Sequence, residues 1–181
     1  MSKSIKKFIT ILILTTSVTS TIFLTGCTEK TNNIQPSDKW LFAMDDDYIQ
    51  YKYNASAIPT LVIIDKDGDV IYYSRGTHSK EILIPYIKKA INGTATKLGE
   101  SINFTVTTFN NETFTLSEKK GKVVVLDLMG IPCQPCVAQM PELQEIQKEY
   151  GNDIILLSVD VRFSGETKQK VLETYGDYIL L

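Results

Sequence analysis

Cys133 and Cys136 carry the clearest chemical signal in this chain, because two residues separate them in the run Cys133-Gln134-Pro135-Cys136. Thiols at this spacing can form a reversible disulfide or supply part of a metal site. A structural zinc site needs four ligands, and the chain adds only a distant N-terminal cysteine and a single histidine, His78. The composition therefore favours redox chemistry, no metal site is predicted, and His78 is interpreted as a surface residue before a helix.

The position of the pair strengthens the redox interpretation. It follows an apolar run typical of a buried strand, residues 123–128, and opens a helical pattern that extends over residues 134–150. The first turn of a helix presents unpaired N–H groups and a partial positive charge, both of which favour thiolate over thiol. Cys133, at the exposed end, is therefore predicted to attack, and Cys136, one turn further, to resolve the mixed disulfide. Pro135 falls in the first turn, where its missing N–H costs nothing.

The elements that would position the pair alternate between strands and helices. Continuous apolar runs, rather than alternating ones, indicate strands buried on both faces and an α/β layered fold. Strands are predicted at residues 60–64, 70–73, 104–107, 113–116, 123–128 and 154–159, and helices at residues 79–91, 134–150 and 166–175. Pro85 is expected to kink the first helix or delay its start. The run from Asp65 to Asp69 is interpreted as a hairpin turn rather than a calcium loop, because loop position 12 is Gly76 instead of glutamate.

Composition and charge narrow the range of partners. Hydrophobic residues make up 43% of the 181-residue chain and charged residues 22%, which is typical of a globular protein. The formal net charge is −2, and no basic cluster follows the first seven residues. A nucleic-acid partner is therefore not expected.

The N-terminal residues predict export from the cytosol. Residues 1–27 combine early lysines, a short apolar stretch and a small-residue ending, as an export signal does. Residues 24–27, Leu-Thr-Gly-Cys, resemble a lipoprotein box, which implies cleavage before Cys27 and a lipid on its thiol. Residues 28–39 are polar and aperiodic, which favours a flexible tether between the membrane and an extracytoplasmic domain. An uncleaved N-terminal anchor is the alternative.

Residues 98–176 resemble the first half of a thioredoxin-like domain of the TlpA/ResA type. The motifs that carry the resemblance are Leu98-Gly99-Glu100, Phe104-Thr105-Val106, the run 121–127, the cysteine pair with Gln134 and Pro135, and Met140-Pro141-Glu142-Leu143. The resemblance implies that Asp127 is buried beneath the disulfide, has a raised pKa and relays a proton to the resolving cysteine. Family members usually carry tryptophan before the first cysteine, whereas this chain has Pro132. That difference alters the partner-docking surface of the loop but not the thiol chemistry.

Residues 40–92 resemble the second half of the same fold. Here Ile58, Pro59 and Thr60 match the segment whose proline is cis and packs against the disulfide. The resemblance implies that the backbone of Ile58 pairs with a bound peptide in a strand-like manner, and that the proline keeps metal ions off the thiols.

The two halves stand in the reverse of the family order. The cis-proline half at 40–92 comes first, residues 93–101 form a linker, and the cysteine half occupies 102–181. The resemblance thus implies a circularly permuted thioredoxin-like fold, with a central mixed sheet flanked by helices. The linker region can span roughly 30 Å, at about 3.3 Å per residue, which allows closure within one chain. Strand 60–64 should then lie antiparallel to strand 123–128 and bring Pro59 against the cysteine pair.

A repeated segment suggests how this order arose. Residues 38–42 and 177–181 fall at the same point of the family pattern, as expected from a tandem duplication that lost its first and last halves. The two segments would compete for one sheet-edge position. A swapped dimer and a nonfunctional remnant are the alternatives to closure within one chain.

The expected function is that of a membrane-tethered, extracytoplasmic thiol–disulfide oxidoreductase. Its partners would be thiols and disulfides of exported proteins and an electron donor in the membrane, and no bound cofactor is expected. A peroxiredoxin-like peroxidase is an alternative, although residues 130–132 lack the threonine of a Thr-x-x-Cys site. A non-catalytic remnant is the other alternative.

Overall fold

The computed structural model describes residues 40–162 and 165–179. The predicted export signal, the tether and Cys27 lie outside these residues. The strands are β1 Trp40–Met44, β2 Thr60–Ile64, β3 Asp69–Arg75, β4 Gly99–Glu100, β5 Thr105–Thr107, β6 Thr113–Thr115, β7 Val123–Met129 and β8 Ile154–Asp160. The helices are α1 Ile49–Lys52, α2 Lys80–Ile91, α3 Gln134–Tyr150 and α4 Lys168–Ile179, and a 3-10 turn covers Leu116–Lys119.

Six strands form one mixed sheet in the order β1-β8-β7-β2-β3-β4. Strands β1, β8 and β7 run parallel to one another, whereas β2, β3 and β4 pair antiparallel. A separate hairpin is made by β5 and β6. The central mixed sheet flanked by helices confirms the predicted fold class.

The three longer helices cover one face of the sheet, and the hairpin with the short helix α1 covers the other. One face packs against α2, α3 and α4, and the other against α1 and the hairpin of β5 and β6. All seven residues of β7 are buried, because both faces of this strand are covered. Successive side chains point to opposite faces of a strand, so Val125, Asp127 and Met129 face the layer formed by α2, α3 and α4.

Strand β2 lies antiparallel to β7, as the sequence predicts. Thr60 stands opposite Leu128, and Leu61 opposite Asp127. Pro59, immediately before β2, therefore lies at the end of β7 where the cysteine loop begins. One chain supplies both strands, although β2 comes first in the sequence.

The predicted linker and the start of α2 can be compared directly with the structure. Residues 93–101 were expected to be a linker, but Gly99 and Glu100 form β4 against β3, and the Leu98 N–H donates to the Val70 carbonyl at 2.7 Å. The pairing satisfies backbone groups on the open edge of β3. Helix α2 begins at Lys80, so Pro85 lies inside the helix and does not delay its start.

Residues 38–42 and 177–181 were both candidates for one position at the edge of the sheet, and the first segment occupies it. Trp40–Met44 forms β1 and occupies the edge beside β8. The predicted last helix continues beyond Tyr175 as far as Ile179, whose side chain is buried against the core of the helical layer. Residues 177–179 of the second segment therefore lie in a helix rather than in the sheet.

Candidate active site

Cys133 and Cys136 are joined by a disulfide at the start of α3, with a Cα–Cα distance of 5.2 Å. Cys133 is the N-cap residue, and its sulfur accepts a hydrogen bond from the Cys136 N–H at 3.1 Å. The Cys133 side chain is 9% exposed, whereas Cys136 is fully buried. The geometry therefore leaves Cys133 as the more accessible sulfur, in the place where the helix N-terminus stabilises negative charge.

The cis-proline segment lies directly against this disulfide. The sulfur of Cys133 is 3.8 Å from the carbonyl oxygen of Ile58, and the peptide bond between Ile58 and Pro59 is cis. Thr60 donates its hydroxyl proton to the Ala57 carbonyl at 2.6 Å, which ties the segment to its own turn. The structure thus brings the Ile58 carbonyl to Cys133 across 75 positions of sequence, with Pro59 and Thr60 next along the chain.

The loop before Cys133 contains a feature that sequence reasoning missed. The peptide bond between Ile131 and Pro132 is also cis. An X-Pro bond is the only sequence signal for such a bond, and it does not specify the isomer. A Cβ added at Gly130 would come within 3.1 Å of the Ile58 side chain, so glycine permits the close approach of the two segments.

Asp127 is fully buried on the sheet face that carries both cysteines. Ser158 donates its hydroxyl proton to Asp127 Oδ2 at 2.9 Å, and Trp40 Nε1 donates to Ser158 Oγ at 3.0 Å. Burial raises the pKa of Asp127 to about 7, and the hydrogen bond from Ser158 opposes that rise. A carboxyl with such a pKa can accept and release a proton near neutral pH.

Further ionisable groups lie near this carboxyl. Tyr175 donates its hydroxyl proton to the Gly130 carbonyl at 2.9 Å, and burial, followed by the charges of Asp127, Asp160 and Glu166, raises the pKa of Tyr175. Burial also raises the pKa of Asp160 to about 6, although a hydrogen bond from the Arg162 N–H lowers it. Several carboxyl groups therefore lie on the side of the sheet that packs against α2, α3 and α4. Of these, the sequence analysis identified only Asp127.

A second contact missed by the sequence analysis joins α3 to the loop before α2. The buried Gln139 side chain accepts from the His78 N–H at 2.7 Å and donates to the His78 carbonyl at 3.0 Å. Thr77 donates its hydroxyl proton to the Pro135 carbonyl at 2.8 Å. His78 does precede a helix, as predicted, but it is half-buried, and its ring nitrogens contact Ser74 Oγ and the Gly76 carbonyl.

The acidic run Asp65–Asp69 forms a hairpin turn. Asp65 accepts hydrogen bonds from the backbone N–H groups of Asp67 and Asp69. The three carboxylates lie within 4.8 Å of one another, but the ammonium group of Lys97 contacts Asp67 at 3.0 Å and Asp69 at 2.6 Å. The cluster is thus neutralised in part by a lysine of this chain.

A known protein family matches the second part of the chain. Residues 99–178 match the AhpC/TSA family. The thioredoxin-like protein YneN of Bacillus subtilis is 31% identical over 75 residues, which are 41% of this chain and 44% of that protein. The thiol-disulfide oxidoreductase ResA of Halalkalibacterium halodurans is 28% identical over 78 residues, 42% of this chain and 44% of the relative. ResA of Bacillus thuringiensis is 39% identical over 64 residues, 34% of this chain and 37% of the relative.

The chain thus spans less than half the length of these curated relatives. No solved structure matches it significantly. The matched stretch contains β7, the cysteine pair, α3 and β8. This stretch is thus similar to thioredoxin-like proteins of the TlpA/ResA type, and the mixed sheet with its flanking helices is consistent with a thioredoxin-like fold.

Proposed function

We propose that the protein is a thiol–disulfide oxidoreductase that uses Cys133 and Cys136 to exchange electrons with disulfides of other proteins. The observation that carries the proposal is the Cys133–Cys136 disulfide at the N-terminus of α3, which packs on the sheet face that carries the buried Asp127. The names of the relatives ResA and YneN support the same class of reaction.

In the reducing direction, the thiolate of Cys133 attacks one sulfur of a client disulfide. A mixed disulfide forms, and the other client sulfur leaves as a thiolate. Cys136 then loses its proton to the Asp127 carboxylate and attacks the sulfur of Cys133. This step forms the Cys133–Cys136 disulfide and releases the second client thiolate, so the client gains the two electrons that the dithiol loses.

The segment at Ile58 would hold the client chain during this exchange. Its carbonyl oxygen lies 3.8 Å from the Cys133 sulfur, close enough for an extended peptide bound there to present its own sulfur to Cys133. Recognition through backbone groups suits an enzyme that acts on many sequences, because such contacts do not depend on client side chains.

The place of action is proposed from the N-terminal residues. An export signal and a lipid on Cys27 would hold the domain outside the cytosol, where disulfides persist and where exported proteins are the clients. An electron donor in the membrane would return the disulfide to the dithiol. Within the residues that the structure describes, no helix is long and apolar enough to cross a bilayer.

Cys27 is expected to carry a lipid. Growth with labelled fatty acid should label the wild-type chain and leave Cys27→Ser unlabelled, because the thiol is the acceptor in a lipoprotein box. The Cys133→Ser variant serves as the control for loss of a thiol elsewhere and should label normally. Equal labelling of the wild type and Cys27→Ser would contradict lipidation and favour an uncleaved anchor.

The order of the two halves is proposed to be a circular permutation. Strand β2, which follows the cis-proline, precedes β7 in the chain and pairs with it, and β1 occupies the sheet edge that the repeated segment would otherwise share. Closure within one chain would give a monomer in light scattering. A species that exists only as a dimer would favour exchange of halves between two copies.

Reduction of insulin by dithiothreitol tests the proposed activity. The protein should accelerate the appearance of turbidity, because a helix N-terminal thiolate attacks disulfides faster than an ordinary thiol does. Consumption of hydrogen peroxide in a parallel assay separates the peroxidase alternative, which predicts peroxide turnover without insulin reduction. Inactivity in both assays would favour the remnant.

A further inference from the structure

Asp127 is linked to the edge of the sheet by two consecutive hydrogen bonds. The donors and acceptors belong to three neighbouring strands: Trp40 of β1, Ser158 of β8 and Asp127 of β7. Each of the three side chains is at most 2% exposed. All three project from the sheet face against which the cysteine-bearing helix α3 packs, so the two hydrogen bonds run through the core rather than through solvent.

The chemistry of the groups determines the direction of both bonds. An indole N–H can donate but cannot accept, so Trp40 must donate to Ser158 Oγ. A hydroxyl has one proton and two lone pairs. With one lone pair occupied by Trp40, the single proton of Ser158 points at Asp127 Oδ2, which it contacts at 2.9 Å. Neighbouring donors of this kind polarise and strengthen each other.

The two oxygens of Asp127 are therefore not equivalent. Oδ2 accepts from Ser158, whereas Oδ1 is buried without a hydrogen-bond partner among the residues that the structure describes. A proton can bind Oδ1 while the bond from Ser158 stays intact. Protonation of Oδ2 would instead force the Ser158 hydroxyl to turn away from the carboxyl.

We propose that Ser158, supported by Trp40, is a positioning residue for proton transfer: it holds Oδ2 of Asp127 so that Oδ1 takes the proton of Cys136. The inference rests on the proposed function. During resolution of the mixed disulfide, the Cys136 S–H bond breaks and its proton moves to Oδ1. The resulting thiolate attacks the Cys133 sulfur, the new S–S bond forms, and the client sulfur leaves with the electron pair of the broken bond.

The pH dependence attributed to Asp127 must be distinguished from that of other ionisable groups on the same side of the sheet. Tyr175 of α4 feels the charges of Asp127, Asp160 and Glu166, and Cys133 and Cys136 belong to the core on the same side of the sheet. Strand β2 contributes the apolar Leu61 opposite Asp127. Asp160 is the neighbour whose titration most resembles that of Asp127, because burial raises its pKa to about 6.

The protein has a single tryptophan, which reports directly on the two hydrogen bonds that link Trp40, Ser158 and Asp127. In the oxidised full-length protein, the one indole N–H resonance should shift with pH, with an inflection near the pKa of Asp127, about 7. Asp127→Asn should abolish this inflection, and Asp160→Asn should preserve it. Ser158→Ala should remove most of its amplitude, since the link between indole and carboxyl is lost. An indole inflection of full amplitude in Ser158→Ala would overturn the proposed hydrogen-bonded link.

The second experiment follows the resolution of a mixed disulfide formed between Cys133 and a peptide thiol. Loss of a hydrogen bond to the charged carboxylate should move the midpoint of the pH–rate profile upward by about one unit in Ser158→Ala. The rate at pH 7 should then fall by roughly fivefold, because the ionised fraction of Asp127 falls from about a half to about a tenth. Ser158→Thr should restore the wild-type midpoint, and Trp40→Phe should shift it in the same direction by less.

The outcomes distinguish positioning from general structural damage. Damage to packing would slow resolution at every pH and leave the midpoint in place, and an unmoved midpoint in both Ser158→Ala and Trp40→Phe would overturn the inference. If Ser158→Ala does not fold, an unmoved midpoint in Trp40→Phe, or an indole inflection that persists in Asp127→Asn, overturns the inference. A wild-type protein that never resolves the mixed disulfide would contradict the proposed function. The indole titration tests the hydrogen bonds among Trp40, Ser158 and Asp127 independently of that result.

Discussion

Cys133→Ser should lower insulin reduction to the rate of dithiothreitol alone, a loss of more than about a hundredfold, because a serine hydroxyl does not attack disulfides. Cys136→Ser should behave differently: it should still attack clients and accumulate a mixed disulfide through Cys133. The difference follows from the two positions, since Cys133 is the more accessible sulfur and Cys136 is fully buried one turn into α3.

Mass spectrometry under non-reducing conditions should detect the trapped adduct in Cys136→Ser and none in Cys133→Ser. Cys27→Ser is the matched control, because it removes the third thiol, which is not part of the proposed redox pair, and it should retain wild-type turnover in detergent solution. Full turnover by Cys136→Ser, or an adduct through Cys136 in Cys133→Ser, would reverse the proposed roles.

Asp127→Asn should stabilise the oxidised protein at alkaline pH and leave its stability almost unchanged at pH 4. Burial raises the folded-state pKa of Asp127 to about 7 from its ordinary value of 3.8, so the folded state binds the proton more tightly than the unfolded state does. Stability therefore falls as pH rises from about 4 to 7, and the loss is complete above the folded pKa. A shift of this size corresponds to at most about 4 kcal/mol.

Urea unfolding at pH 4 and pH 8.5 measures the effect. Asp127→Asn should exceed the wild type by a few kcal/mol only at the higher pH, while resolution of the mixed disulfide slows because asparagine cannot accept the proton. Asp67→Asn is the matched control: that carboxylate is 74% exposed and pairs with Lys97 at the surface, so its removal should change stability by less than about 1 kcal/mol. Equal destabilisation by Asp127→Asn at both pH values would assign Asp127 to packing alone.

The main elements of the fold were predictable because they depend on local pattern. The apolar runs at β2, β7 and β8 need cover on both faces, and the helical period after Cys133 predicts α3 with the same bounds as observed. The pairing of β2 with β7 followed from the family resemblance together with a linker long enough to close the chain.

The polar connections were not predictable, because each joins residues far apart in the sequence. Ser158 is 31 positions from Asp127, and Gln139 is 61 positions from His78. A serine within a buried strand and a glutamine within a helix have many possible partners, and only the packed arrangement selects one. The strand at Gly99 and Glu100 is too short to produce a period, so the segment resembled a linker.

The reduction potential of the Cys133–Cys136 pair tests the central claim most directly. The protein is equilibrated in glutathione and dithiothreitol buffers of known potential, quenched with an alkylating label, and the fraction carrying two labels is read by mass spectrometry. A redox-active pair at a helix N-terminus should titrate as one two-electron couple between about −120 and −270 mV, the range of thioredoxin-like oxidoreductases. A midpoint below about −300 mV would identify a structural disulfide and contradict the proposed function.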